Sequence, residues 1–480
     1  MKVKQTPTGN IINGNEVVAI ELTNNKGTYV KIFNYGAIIN KFVVKNAKGE
    51  LQDIVLGFDT FEEYLNPEYL KNGAYLGAVV GRYANRIKNG RFTIDGQTYQ
   101  VAQNAGPDAL HGGIEGFDKK VWDVIDTTEE PHAAVTLSYE SEDGEENYPG
   151  NLIVDLTFEL TDNDELILTY EAETDQATAI NLTHHGYFNL NPNVANIAQH
   201  VQQIFASNYL EQDDNYSVTG KLIPVKDTAL DFTTAKEIGR DWNPEEGYDQ
   251  TFVLDKTYGD LTLATKTFEQ ESGLTLSVYT TEPVAHLYTA KYLSVKAGKG
   301  GKDYNGYDAF CVETQHHPNG INIPEFPSTI LKPEDLYTQT TIYKVSINKA
   351  MFKVDDIKKA ESRIKTGADF PEFIKTLKSF GIKRNDVYVT NGLSVYFGDD
   401  QTEQISPDEY PDLLINEESS PEKLKHALHI HQRGETDFAT FCKQAADAGV
   451  EKWVVDLENM TCTYLDSEQK ELVIEQISEV

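Results

Sequence analysis

Five short segments place ionisable or amide-bearing residues beside strand-forming ones: GRYANRI (81–87), LHGG (110–113), NLTHHGYFNL (181–190), YDQTFVL (248–254) and CVETQHHPNGIN (311–322). Together they supply Arg86, His111, His185, Asp249 and Glu313. A glutamate and a histidine have pKa values near enough to working pH to trade protons, so the set holds a general acid and base if folding joins them. No single segment is specific. By residue type alone Glu313 reads as a solvated strand residue, because the apolar Cys311 and Val312 before it leave its face undetermined. A lone strand histidine is, by the same measure, more often structural. His184 and His185 are neighbours on a strand, so their side chains point to opposite faces and cannot both serve one site. The glycines after His111 permit a tight backbone beside a ligand. Arg82 lies four residues before Arg86 and on a strand would share its face, so it competes for any role given to Arg86.

Other clusters carry less. His426, His429 and His431 lie close together in KLKHALHIHQ, and the first two share a helix face at i, i+3. No cysteine or carboxylate stands at metal-site spacing from them, so they read as a solvated helix face. His316-His317 reads as structural too. There is no phosphate loop and no glycine-rich dinucleotide fingerprint.

The elements that must position these residues are strands. Over residues 1–345 period-two alternation recurs, as at 152–160, where Leu152, Val154, Leu156, Phe158 and Leu160 alternate with Ile153, Asp155, Thr157 and Glu159. Similar stretches are 91–94 with 97–101, 275–281 and 309–314. Asp95-Gly96 between the first pair is a hairpin-turn signal. The pattern predicts a mainly β chain built on a large antiparallel β-sandwich. Near residue 346 it changes. From Val354 to Phe380 apolar residues recur at helical spacing, and Gly381 ends the run. A small α+β domain over 346–480 is expected, after a β-sandwich domain over 1–345. The segment 399–422 is acidic and holds prolines, as a loop or short elements would.

The second part carries an internal repeat. Residues 369–397 align without gaps to 437–465, with identities at Asp369/Asp437, Phe370/Phe438, Phe373/Phe441, Lys375/Lys443, Gly381/Gly449, Asn391/Asn459 and Tyr396/Tyr464. Each copy reads as helix, glycine stop, strand, turn, strand. Met351, one of three methionines, stands where a separate gene would start and suggests a fusion.

The length of 480 residues predicts two or three domains. A net charge of −34 argues against nucleic acid or an anionic membrane surface as partner. After residue 345 there are 16 basic and 26 acidic residues, leaving 26 and 50 before it, so neither part is basic. Three cysteines are too few for a disulfide framework, and no apolar run is long enough to span a membrane or to form a signal peptide, so the expected compartment is the cytoplasm.

Taken in this order, the five segments, with NYGA (34–37), resemble the aldose 1-epimerases over essentially all of residues 1–345. The resemblance implies an enzyme, an isomerase that interconverts the α and β anomers of a free aldohexose such as galactose or glucose. A base takes the proton of the C1 hydroxyl while an acid protonates the ring oxygen. The open aldehyde rotates about C1–C2 and recloses, without metal or redox cofactor. Carried over by motif, Glu313 is the base and His185 the acid. His111, the Asn85–Arg86 pair, Asp249 and His286 contact the sugar. The chain departs from the family pattern at His184, where asparagine is usual, and at Gln250 and Thr251, where histidine and asparagine are usual. It departs again at His286, where relatives often have glutamine, and in 209–225, where a proline commonly follows Tyr-Leu. These departures leave the preferred sugar open. The second part resembles a small uncharacterised, phage-envelope-protein-like family over about 350–477, most typically in GVEKWVVDLENMTCTYLD, which implies no activity.

Two other readings of the first part stand beside the enzyme. A non-catalytic sugar-binding module on the same sandwich has no reason to keep both His185 and Glu313. A hexose-phosphate epimerase would favour clustered basic residues near the site, and the sequence shows none.

Overall fold

The computed structural model describes residues 1–193, 195–347, 354–362, 370–398, 402–405 and 412–477. Met351, and the stretch between the helices of the 354–380 pattern, lie outside the described residues. The chain divides into two compact units, Met1–Ile347 and Asn348–Val480.

The first unit is an antiparallel β-sandwich. Its largest sheet has nine strands, in the order Asp123–Thr128, Ala133–Ser141, Leu152–Leu160, Glu165–Thr174, Tyr337–Ile347, Leu274–Thr280, Thr262–Phe268, Val201–Ile204 and Lys236–Glu237. The alternation at 152–160 is the inward face of one of these strands: Leu152, Val154, Leu156, Phe158 and Leu160 are all fully buried. The strand Tyr337–Ile347 passes the expected boundary at 345 because Ile347 still pairs with Leu274. Asp95-Gly96 makes the expected hairpin, with Ile94 opposite Gln97. Against the large sheet pack two five-stranded sheets. One runs from Lys2–Ile12 to Leu51–Asp53. The other has the order Val218–Pro224, Asn208–Gln212, Asp249–Val253, Val284–Tyr288, Cys311–Gln315. Apolar side chains from these sheets share one core that includes Ile32, Phe42, Leu156, Phe158, Phe252, Leu276 and Val312.

The second unit shows the repeat as geometry. Its six-stranded sheet has the order Thr402–Ile405, Ser394–Phe397, Arg384–Tyr388, Lys452–Asp456, Thr461–Leu465, Glu471–Gln476. Helices Phe370–Ser379 and Phe438–Asp447 stand at the offset of 68 residues, and helices Val354–Glu361 and Pro421–Gln432 precede them. At the centre Asp386 pairs with Val454, its own counterpart at that offset. Arg384 pairs with Asp456 and Tyr388 with Lys452, two pairings that the offset exchanges, since Arg384 corresponds to Lys452 and Tyr388 to Asp456. A local two-fold axis therefore passes between the two central strands. Phe373, Ile374, Leu377, Phe441, Cys442 and Ala445 fill the core under the sheet.

Candidate active site

Four chain segments are stitched together before any side chain is considered. His184 pairs with Val79, and the His185 N–H donates to the Ala78 carbonyl at 2.8 Å. Leu110 pairs with Arg86, and the His111 N–H donates to the Asn85 carbonyl at 3.1 Å. The Ala84 N–H donates to the Asn181 carbonyl at 2.7 Å. Phe188 and Phe310 exchange both backbone bonds, which joins the segment carrying His185 to the start of the strand carrying Glu313. On the site sheet Thr251, His286 and Glu313 lie directly across from one another on adjacent strands, and Asp249, Tyr288 and Cys311 form the next row of the same face.

His185 and Glu313 meet in this setting. His185 Nε2 lies 3.6 Å from Glu313 Oε1, with both side chains buried. That is too long for a hydrogen bond between them, so neither group consumes the other. Glu313 Oε2 and His185 Nδ1 have no hydrogen-bond partner in the protein. The imidazole is stacked on Tyr187 (4.9 Å, 20°) and Tyr75 (5.8 Å, 21°), which fixes its plane. Burial lowers the pKa of His185 below the ordinary histidine value, while the Glu313 charge pulls it the other way.

His111 completes the cluster. One ligand atom each from His111, His185 and Glu313 lies within 4.8 Å of the others, and this is the one group able to hold a metal among the described residues. The hydrogen bonds of His111 argue against that use. Its Nδ1 accepts the Asn85 N–H at 3.1 Å, so the neutral ring carries its proton on Nε2, the nitrogen a metal would need. Burial, with His185 and Arg86 nearby, holds the pKa of His111 well below the ordinary value. His111 is therefore a fixed neutral donor pointing at the acid–base pair.

The remaining candidates surround the pair. The Asn85 Oδ1 accepts from the Arg86 N–H at 2.8 Å, and the Arg86 guanidinium lies 5.3 Å from the centre of the Tyr216 ring. Asp249 Oδ1 is bonded to His286 Nε2 at 2.8 Å, and His286 Nδ1 to Thr251 Oγ1 at 2.8 Å. Burial, the largest single influence on Asp249, raises its pKa, but the bond to His286 and the charges of His286, Arg86 and His185 together outweigh it and hold Asp249 below the usual carboxylate value. Burial would lower His286, but Asp249 and the nearby Glu313 raise it.

Arg82 is no competitor for Arg86. It is 2% exposed and spends its guanidinium on the Pro149, Gly150, Ser141 and Glu142 carbonyls and the Ser141 and Thr178 hydroxyls. The two arginines do not share a face because Asn85, at φ 59°, breaks the strand alternation between them. His184 points away from His185, with its ring 6.3 Å from Tyr343 in the large sheet. The glycines after His111 admit protein, not ligand: a Cβ on Gly112 (φ 87°) would lie 1.9 Å from the Gly81 carbonyl oxygen. His316 Nε2 meets the Tyr258 hydroxyl at 2.7 Å and its Nδ1 meets Glu282 at 2.5 Å, while His317 stacks on Phe326. In the second unit His431 stacks on Phe441 and bonds Thr436.

Four contributors carry no chemical signal in the sequence. Asn181, fully buried, accepts the His316 N–H at 2.9 Å and donates to the Ala84 and His316 carbonyls at 3.3 Å each, so one amide clamps three site segments. Tyr75 and Tyr187 read only as core aromatics. Gln315 shares the face of Glu313 and is fully buried, with neither amide atom bonded within the protein.

Comparison with known proteins matches residues 18–344 to the aldose 1-epimerase family model, and residues 358–476 to a family described as a protein of unknown function (DUF1398). The galactose mutarotase of Sus scrofa is 40% identical over 322 residues, covering 66% of this chain and 91% of that protein. The aldose 1-epimerase of Escherichia coli (strain K12) is 32% identical over 334 residues, covering 68% and 94%. Among solved structures, the GalM/aldose epimerase homologue from C. elegans superposes with a TM-score of 0.63 at 33% identity, over 69% of this chain and 99% of that one. The galactose 1-epimerase from Lactobacillus acidophilus NCFM gives 0.63 at 27% identity, over 72% and 99%.

Proposed function

The chain belongs to the aldose 1-epimerase family, and we propose that its first unit interconverts the α and β anomers of a free aldohexose with Glu313 as base and His185 as acid. Glu313 takes the proton of the C1 hydroxyl. His185 gives its Nε2 proton to the ring oxygen as the C1–O bond to that oxygen breaks and the C1 carbonyl forms. In its reacting form the pair is carboxylate and imidazolium, the protonation that the Glu313 charge favours against burial, and it ends as carboxylic acid and imidazole, so its net charge does not change inside a buried site. Rotation about C1–C2 and the reverse transfers close the other anomer. His111 offers its Nε2–H, Arg86 its guanidinium and Asp249 its free carboxylate oxygen to sugar hydroxyls.

One observation carries the reading: two buried proton-transfer groups face each other 3.6 Å apart without bonding. The C1 hydroxyl and the ring oxygen sit on one carbon, so acid and base must be near neighbours, as these are. A pure sugar-binding module needs no such pair. For a phosphorylated sugar, the lysine nearest Arg86 in sequence, Lys88, is already bound to Asp213 at 2.7 Å.

The second unit is read as a domain of its own with no part in turnover. A cytoplasmic setting fits three buried cysteines, none of them in a disulfide. Among the described residues, no helix is long and apolar enough to cross a membrane.

Polarimetry of freshly dissolved α-D-galactose and α-D-glucose tests the proposal. Glu313→Gln and His185→Asn should each lower mutarotation by at least ~10²-fold, the low end for a lost proton-transfer group. Near-full activity in either variant overturns the role given to that residue.

A further inference from the structure

His286 sits in the middle strand of the three that bear Thr251, His286 and Glu313, and its side chain is buried. Both of its ring nitrogens are occupied by protein. Nε2 donates to Asp249 Oδ1 at 2.8 Å and Nδ1 bonds Thr251 Oγ1 at 2.8 Å. An imidazole has no third polar atom, so His286 has nothing left to offer a sugar.

Asp249 is different. Only one of its oxygens is engaged by His286, and its side chain is 24% exposed against 4% for His286. The second oxygen can accept a hydroxyl proton only if the carboxylate is held in one rotamer. The His286 ring supplies that hold from below, and Thr251 supplies it to the ring. A threonine hydroxyl can donate or accept. It satisfies Nδ1 whether the ring is neutral or charged, so the bracket Asp249–His286–Thr251 stays closed in both states. The charged or titratable groups facing His286 are Asp249, Glu313, Arg86, His185 and His111.

We propose that His286 is a positioning residue: with Thr251 it locks the Asp249 carboxylate in its sugar-accepting orientation, and it does not itself touch the substrate. The proposal rests on the mutarotase reading of the site and assigns to Asp249 alone the binding that its neighbourhood suggests for both.

The experiment measures galactose affinity by titration calorimetry, and kcat and KM by polarimetry, on the full chain. His286→Leu removes both bonds. Loss of the fixed, charge-assisted acceptor should weaken galactose binding and raise KM by ~10-fold or more, with kcat within ~5-fold. His286→Gln, whose amide can still donate to Asp249 and meet Thr251, should bring KM back to within ~3-fold of wild type. Thr251→Val, which keeps volume and removes only the outer bond, should raise KM by ~3-fold and serves if His286→Leu fails to fold. Unchanged affinity in His286→Leu and Thr251→Val overturns the proposal. So does failure of His286→Gln to restore KM, since a bracket needs only the bond and not the imidazole. A loss confined to kcat also overturns it, by making His286 a participant in the chemistry. Full turnover in Glu313→Gln would instead defeat the mutarotase reading, and the calorimetric ranking of the His286 variants would still report on the bracket.

Discussion

Replacing Asn181 by leucine should damage the enzyme although no sugar contact is assigned to it. The leucine keeps much of the volume and both backbone bonds of residue 181, to Ala84 and Arg82. It removes the acceptor for the His316 N–H at 2.9 Å and the donors to the Ala84 and His316 carbonyls at 3.3 Å. A buried group left without its partner costs about 1–3 kcal/mol. One well-formed bond and two longer ones then give a loss of about 3–5 kcal/mol, at the far end of single substitutions. The three groups orphaned belong to the segments of Asn85–Arg86 and Glu313, so relief of the penalty by local movement should displace those residues. Asn181→Asp is a sharper probe, because it keeps the acceptor but turns a carboxylate oxygen towards two carbonyl oxygens. The assay is urea unfolding of the full chain followed by tryptophan fluorescence, with Trp122 and Trp242 in the first unit, alongside polarimetry well below the midpoint. Turnover should fall ~10-fold or more in either variant while the protein is still folded, as expected for a misplaced reacting geometry. A leucine variant within about 1 kcal/mol of wild type, with turnover within threefold, would show that strand pairing alone sets the segments and that the clamp is incidental.

Arg82→Met should lower stability sharply at nearly unchanged KM in the folded fraction, whereas Arg86→Met should raise KM with little change in thermal midpoint; parallel melts and kinetics separate the two. Four buried histidines should make the first unit acid-sensitive. His184 is pushed down to about 3, His200 and His317 to about 4, and His111 well below its ordinary value, chiefly by burial. The unfolded chain takes these protons near the ordinary value of 6.5 and the folded chain refuses them, so their contribution is complete above 6.5 and is lost as pH falls towards 4. Urea midpoints at pH 8, 6 and 5 should therefore fall more steeply for wild type than for His184→Asn, and identical slopes would refute the assignment to His184. A chain ending at Ile347 should fold and keep its turnover per site, measured by circular dichroism and polarimetry; a folded but inactive product would tie the second unit to catalysis. Prolonged dialysis against a chelator should leave activity intact, and inhibition reversed by one added metal would contradict the His111 tautomer.

The strands were legible where one face is buried and the other is not, as at 152–160, because burial imposes the period directly. The reacting residues were legible as types in recurring segments, but their meeting was not. His185 and Glu313 come together through the Phe188–Phe310 pairing, which no local pattern announces. The relation of Arg82 to Arg86 misleads for a similar reason: alternation presumes regular dihedrals, and Asn85 at φ 59° breaks them. The glycines of 112–113 signal close approach correctly but not what approaches. Asn181 is silent because an asparagine is far more often a turn or a cap, and its work here depends on carbonyls from two distant segments. Two departures that look independent in sequence, Thr251 and His286, are cross-strand neighbours in contact, so they are one adjustment made at two positions.

The two-fold axis of the second unit marks what joining two copies in one chain permits. A pair of identical first halves meeting about that axis would set Asp386 against another Asp386, and like charges directly opposite weaken a strand pair. In the tandem chain Asp386 faces Val454 instead, and its carboxylate is gripped by Arg384 at 2.6 Å with Lys452 3.5 Å away. Arg384 and Lys452 are counterparts across the axis, yet both turn to the same carboxylate. In a single chain the residue on the axis need not be compatible with itself, and the two halves can differ at the one place where identical symmetric partners never can.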